Sequence, residues 1–167
     1  MRKLLIILFF IKASTSIAQN EGPSVGTTLR TLSGKDLITG AIIDIEFANS
    51  STYTLLHFWS SRSDSSLKDL KQFVILANAY KQKATVFAFP YEVKQDIART
   101  KELILTYKMN WPQLLQYRQG GLQGANVIDV LKVDEFPTYM LLNKQGTILV
   151  RSGSLADVEE VLKRKEQ

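Results

Sequence analysis

The chain contains 167 residues, which suffices for one domain with a substantial hydrophobic core and is too short for two ordinary domains. Hydrophobic residues make up 45% of it and charged residues 22%, without low-complexity tracts or repeats, as is typical of a globular protein. The formal charge is +5, but no basic stripe with interleaved aromatic residues accompanies it, so the sequence gives nucleic-acid binding no support.

The first 18 residues have the layout of a secretory signal peptide. A basic start precedes an unbroken apolar run over residues 4–11, and residues 16–18 give the small-residue pattern that signal peptidase prefers. The apolar run is shorter than the roughly 20 residues that a membrane-spanning helix needs, and Lys12 ends it. We therefore expect cleavage after Ala18 and a periplasmic or secreted protein without membrane insertion, with an uncleaved anchor as the alternative.

Removal of this segment changes what the charge implies. Residues 1–18 hold three of the 21 basic residues and no acidic residue, so residues 19–167 carry a formal charge of +2. The chain contains no cysteine, which excludes a lipoprotein because the lipid is attached to a cysteine. We expect residues 19–26, which are polar and contain glycine and proline, to form a flexible lead, and residues 27–167 to form one domain.

The first half of this domain shows strand and helix patterns in alternation. Residues 27–32 and 41–47 flank a turn-like cluster at 33–36 and predict a β-hairpin. A short apolar run at 54–59 predicts a buried strand. Side chains suited to a helix start precede an apolar stripe of period 3.6, which predicts a helix over 65–80. Residues 85–89 predict a second buried strand that stops at Pro90.

The second half continues the pattern. Residues 94–108 and 126–131 have helical character, with a glycine-rich loop at 120–124 between them. Residues 138–142 and 147–151 flank a turn in which Gly146 is available for a positive φ, so they predict a second hairpin. An amphipathic helix over 155–164 closes the chain. This order predicts an α/β fold with a mixed central sheet and helices on both faces.

One turn of the chain resembles a known active site. Residues 58–66 read Phe-Trp-Ser-Ser-Arg-Ser-Asp-Ser-Ser, which is similar to the Phe-Trp-Ala-Ser-Trp-Cys-Pro-Pro-Cys turn of the TlpA/ResA-like thiol-disulfide oxidoreductases, a redoxin-type family with the thioredoxin-like fold. Three further stretches resemble segments of this family in the same order: 107–112, 131–138 and 143–148. The resemblance covers roughly residues 24–165 and implies a thioredoxin-like three-layer sandwich.

The departures from the family pattern concern its chemistry. Serines stand at Ser63 and Ser66, where the family has its two cysteines, and Asp64-Ser65 replaces the prolines between them. Arg62 replaces the tryptophan before them. Disulfide exchange needs a thiolate, and a serine hydroxyl cannot form a mixed disulfide. We therefore expect a protein without thiol-disulfide oxidoreductase activity and without a cofactor.

The resemblance also implies a surface for a partner. In the family, the proline matching Pro137 is cis and faces the active-site turn, and the backbone beside it can pair with an extended segment. We expect a non-catalytic module that binds an extended peptide or an envelope protein of unknown identity. The residues expected to form its groove are Trp59, Arg62, Ser63, Asp64, Ser65, Ser66, Trp111, Phe136, Pro137 and Thr138.

Three alternatives remain beside this interpretation. His57 is the only histidine, so it cannot belong to a conventional multi-histidine metal site, and we expect no metal. It precedes the turn by a few residues, and a dyad of His57 with Ser63 or Ser66 would make an enzyme of altered chemistry. Ser63 could instead stabilise the thiolate of a ligand, as in related folds. The last alternative is a vestigial domain whose groove has no use.

Overall fold

Strands and helices alternate along most of the chain. The computed structural model describes residues 22–48, 50–118 and 126–164. Its elements in chain order are β1 (Thr31–Lys35), β2 (Ile42–Glu46), β3 (Tyr53–Trp59), α1 (Asp64–Ala79), β4 (Ala84–Glu92), α2 (Ile97–Thr106), β5 (Gln116–Tyr117), α3 (Val127–Val130), β6 (Thr138–Leu142), β7 (Ile148–Ser152) and α4 (Leu155–Lys163). The predicted signal peptide at 1–18 and the predicted loop at 120–124 lie outside the described residues.

The sheets have the predicted mixed character. Five strands form the main sheet in the order β5-β4-β3-β6-β7. β4 lies parallel to both β3 and β5, whereas β6 runs antiparallel to β3 and to β7. β1 and β2 pair antiparallel as a separate hairpin. The α/β fold, the mixed sheet and the N-terminal hairpin predicted from the sequence are confirmed.

Successive side chains of β3 point to opposite faces of the main sheet. Other elements pack against both faces. Leu55 packs in a cluster with side chains of α1 and α4, and Trp59 packs with side chains of α1 and α2. Leu56 and Phe58 face the other way, toward β2 and α3. β3 is therefore the central strand, and its carboxyl end leads directly into the turn that resembles an active site.

Pro90 does not end its strand as predicted. β4 continues to Glu92. The N–H of Leu114 donates to the carbonyl of Ala88 at 2.7 Å, so an N–H at position 90 would next donate to the carbonyl of Leu114. Proline has no such donor, and the side-chain Nε2 of Gln116 donates to that carbonyl instead, at 3.1 Å. The strand therefore passes through the proline without leaving this acceptor unpaired.

The turn of the first hairpin lies later than predicted. β1 includes residues 33–35, and the reversal begins at Asp36, whose N–H donates to the carbonyl of Ala41 at 2.8 Å. The Asp36 carboxylate accepts bonds from the N–H and the hydroxyl of Thr39, at 2.8 and 2.7 Å. An aspartate that binds the backbone ahead of it favours a turn, so Asp36, and not the serine-glycine pair before it, starts the reversal.

The start of the described chain lies beside β7. The N–H of Gly26 donates to the carbonyl of Ile148 at 2.8 Å. Arg151 donates to the carbonyl of Pro23 at 3.0 Å, and to those of Leu131 and Lys132 at 2.9 and 2.6 Å. Residues 22–26 of the predicted lead are thus attached to the domain, and residues 19–21 lie outside the described residues.

Candidate functional site

The turn between β3 and α1 is held by serine side chains. Ser63 is the N-cap of α1, and its Oγ accepts a bond from the N–H of Ser66 at 3.2 Å. The Oγ of Ser66 accepts a bond from the N–H of Ser60 at 3.3 Å, and Ser66 is fully buried. The hydroxyls that stand where the family has sulfur atoms therefore stabilise the backbone of the turn.

The loop before β6 meets this turn directly. The peptide bond between Phe136 and Pro137 is cis, as the resemblance implies. The hydroxyl of Ser63 donates to the carbonyl of Phe136 at 2.8 Å. Phe136 is partly exposed, whereas Pro137 is buried. The start of α1 and Phe136 thus lie next to each other at the surface.

Two side chains that the sequence analysis missed extend this surface. The rings of Tyr91 and Phe136 stack with centroids 5.5 Å apart and an interplanar angle of 22°. The guanidinium carbon of Arg118 lies 5.8 Å from the centroid of Tyr91, within the range of a cation–π contact. Tyr91 follows Pro90, where we predicted the strand to stop, so its place opposite Phe136 could not be inferred.

A buried carboxylate lies under the turn. Glu92, at the end of β4, is only 1% exposed, and it accepts bonds from the N–H and the hydroxyl of Ser61, the latter at 2.9 Å. Burial raises the pKa of the Glu92 carboxyl, and the two bonds from Ser61 oppose that shift. The sequence analysis missed Glu92 for the same reason as Tyr91. Ser61 is itself fully buried, so this pair positions the turn and is closed to a substrate.

Arg62 and Asp64 point to solvent on either side of Ser63. Arg62 forms a salt bridge with Asp96, and this bond together with the nearby charge raises the pKa of the guanidinium. Asp64 and Ser65 are exposed in the first turn of α1. All three residues are therefore exposed to solvent, with Arg62 held by Asp96.

His57 lies in the core, away from any hydroxyl partner. Its ring packs 3.9 Å from that of Phe73 and 5.2 Å from that of Tyr139, measured between centroids. Neither ring nitrogen has a hydrogen-bond partner among the described residues. Burial lowers the pKa of His57 to about 3, so the ring is neutral at pH 7. No hydrogen bond joins His57 to Ser63 or Ser66 in the described part of the chain, and the geometry gives the dyad no support.

Several residues predicted for the groove lie beneath its surface. Trp59 is fully buried, and its Nε1 donates to the side chain of Gln113 at 3.3 Å. Thr138 is 9% exposed, and its hydroxyl donates to the carbonyl of Glu135. Trp111 is half-buried, and its ring makes an edge-to-face contact with that of Phe73, with 5.5 Å between the centroids. A partner therefore cannot reach Trp59 or Thr138, and both side chains lie beneath the exposed surface.

The accessible surface is smaller than the set predicted from the sequence. We call it the groove surface and define it by the residues Ser63, Asp64, Ser65, Tyr91 and Phe136. The residues at 22–48, 50–118 and 126–164 contain no group of three or more side chains suited to hold a metal ion. Within the same ranges, no helix combines the length and apolar composition needed to cross a bilayer. The chain contains no cysteine, so the groove surface has no thiolate.

Several solved structures that resemble this fold are thiol-disulfide oxidoreductases. The thioredoxin domain of one from Bacteroides vulgatus has a TM-score of 0.62 at 22% identity, covering 84% of this chain and 99% of that one. A thiol:disulfide interchange protein from a Bacteroides species has a TM-score of 0.65 at 23% identity, covering 84% and 88%. The fold is that of the thioredoxin-like thiol-disulfide oxidoreductases.

A more distant neighbour shares the fold as well. A secreted disulfide oxidoreductase from Mycobacterium tuberculosis has a TM-score of 0.61 at 14% identity, covering 78% of this chain and 93% of that one. Neither a protein-family model nor a curated protein sequence matches the chain. The predicted resemblance is thus confirmed by structure, in a chain that contains no cysteine.

Proposed function

We propose that this protein is an exported, thioredoxin-like module without redox activity that binds an extended peptide or protein segment at the groove surface. The observation that carries the proposal is the backbone of Phe136. Its N–H makes no hydrogen bond within the described residues, because β6 begins only at Thr138. Its carbonyl accepts one bond from Ser63 and retains a second lone pair.

A segment laid beside Phe136 would find both groups available. Pairing of main-chain groups supplies affinity in strand addition, and neighbouring side chains supply specificity. The stacked rings of Tyr91 and Phe136, with Arg118 beside them, offer an aromatic contact of the kind that often dominates binding energy. Asp64 and Ser65 border the same surface and would contact polar groups of the partner.

The chemistry of the site supports binding over catalysis. Ser63 donates to a carbonyl and caps a helix, and Ser66 is buried, so neither hydroxyl faces a general base. His57 has no polar partner among the described residues. Catalysis by an activated serine needs a base within hydrogen-bond reach. No observation favours the serine–histidine enzyme, and we do not propose it.

The export part of the proposal rests on the sequence. Residues 1–18 have the layout of a signal peptide, and the Mycobacterium tuberculosis protein of the same fold is described as secreted. Structural disulfides persist in an oxidising compartment, but this chain has no cysteine and its fold contains no disulfide.

Pull-down of residues 19–167 from envelope extract tests the proposal. Phe136→Asp removes the ring that Tyr91 stacks on, and Ser65→Arg adds bulk at an exposed position. We expect both variants to lose a partner that the unchanged protein recovers. Ile75→Asp is the matched control, since Ile75 is an exposed apolar residue in the middle of α1. Recovery of the same proteins by folded groove variants, or of none by any form, would overturn the proposal.

A further inference from the structure

A cavity lies away from the groove surface. It is a depression open to solvent, of about 400 Å³, between the turn of the first hairpin, α2 and β5, and this volume is within the usual size of a small-ligand site. Five of its ten lining residues have apolar or aromatic side chains: Leu37, Ile38, Ile97, Leu115 and Tyr117. Ile38 and Tyr117 are 47% and 46% exposed, so an apolar ligand would remove hydrophobic surface from water.

The charge of this cavity is positive. Lys35 and Lys101 line it, and neither has an ion-pair partner among the described residues. Asp36 is the one acidic residue of the lining. Its Oδ1 accepts the N–H of Gln113 at 2.8 Å, its Oδ2 accepts both donors of Thr39, and it is 5% exposed. These bonds lower the pKa of Asp36 although its burial acts in the opposite direction. The oxygens of Asp36 thus accept hydrogen bonds from neutral donors of the turn and of Gln113, and no ion pair joins Asp36 to either lysine among the described residues.

The lining also has a fixed geometry. Asp36 ties the hairpin turn to the segment before β5 by accepting the N–H of Gln113. Two backbone bonds strengthen this link, because the N–H of Leu37 donates to the carbonyl of Gln113 at 2.8 Å and the N–H of Leu115 donates to that of Lys35 at 3.1 Å. Ile97 and Lys101 are four residues apart on α2 and therefore lie on one helix face. An apolar wall is thus held beside two cationic side chains.

We propose that this cavity binds a small amphipathic carboxylate, with the alkyl or aryl body against the apolar wall and the carboxylate between Lys35 and Lys101. The site is independent of the groove surface and of the function proposed for it. It differs from a general hydrophobic patch in requiring a negative charge at one end of the ligand.

Titration with octanoate, followed by residue-resolved NMR of backbone amides, tests the proposal. We expect saturable shifts at residues that line the cavity, and none with octylammonium, which has the same chain and the opposite charge. The double variant Lys35→Gln/Lys101→Gln should bind octanoate about fivefold more weakly, which is about 1 kcal/mol. Lys68→Gln/Lys71→Gln carries the same charge change on α1 and should bind as the unchanged protein does.

Three outcomes would overturn the proposal. The first is the absence of saturable shifts at the cavity. The second is equal affinity for octanoate and octylammonium, which would leave only a hydrophobic patch. The third is unchanged octanoate affinity in the folded Lys35→Gln/Lys101→Gln variant. Loss of partner capture by the groove variants has no bearing on any of them.

Discussion

At the scale of single residues, two buried titratable groups near the turn have opposite effects on stability. The pKa of His57 is lowered by burial, so the folded protein binds fewer protons than the unfolded chain as the pH falls below 6.5. The pKa of the Glu92 carboxyl is raised, so its contribution to stability is lost as the pH rises through the folded pKa. Neither group touches the groove surface, and both act on the structure beneath it.

Replacement of His57 by leucine tests the first of these effects. The free energy of unfolding should rise by about 1 kcal/mol at pH 7, because two unpaired buried nitrogens are removed. The unchanged protein should lose about 2 kcal/mol between pH 7 and pH 5, and the variant should lose much less. Urea unfolding at pH 7, 6 and 5 measures both effects. Parallel pH profiles of the two proteins would contradict the account, since Glu92 is present in each.

At the scale of elements, the turn between β6 and β7 depends on one glycine. Gly146 has φ 83°, and a Cβ there would lie 2.4 Å from the carbonyl oxygen of Leu29 and 2.7 Å from the Cβ of Phe47. The carbonyl of Gly146 also accepts a hydrogen bond from the N–H of Leu29, at 2.9 Å. The second hairpin and the segment before β1 are therefore packed through this position.

Substitution of alanine for Gly26 and for Gly146 separates the energetic cost of a left-handed backbone from the cost of a steric clash. Gly26 also has a positive φ, 91°, but no atom lies within 4 Å of a Cβ built on it. Gly26→Ala should cost about 1–2 kcal/mol for the left-handed conformation alone. Gly146→Ala should cost about 1–3 kcal/mol more, because backbone and Phe47 must shift. Chemical denaturation of both variants measures the difference, and equal losses would contradict the assigned contacts.

At the scale of the whole molecule, the sequence predicted the fold better than the surface. Hydrophobic periodicity and four family-like segments gave the sheet, the helices and the contact between Ser63 and the loop at 136–137. The sequence pattern did not predict the role of Gln116. Its side chain replaces the missing donor of Pro90, and β4 continues to Tyr91 and Glu92. Such a contact joins residues distant in sequence and leaves no periodic signal.

The same limit explains the residues misplaced in the groove. Trp59 and Thr138 match family positions beside the active site, but a match in sequence does not report exposure. Trp59 ends β3 on the face covered by α1 and α2, and alternation along the strand buries it.

Site-specific photo-cross-linking tests the claim of a binding groove most directly. A photoreactive residue replaces Ser65 at the groove end of α1 or Asn78 near the opposite end of the same helix; both positions are exposed. In envelope extract, the account predicts adducts of defined mass from position 65 that disappear in a folded Phe136→Asp background and are absent from position 78. The same adducts from both positions, or adducts at position 65 that persist with Phe136→Asp, would contradict it.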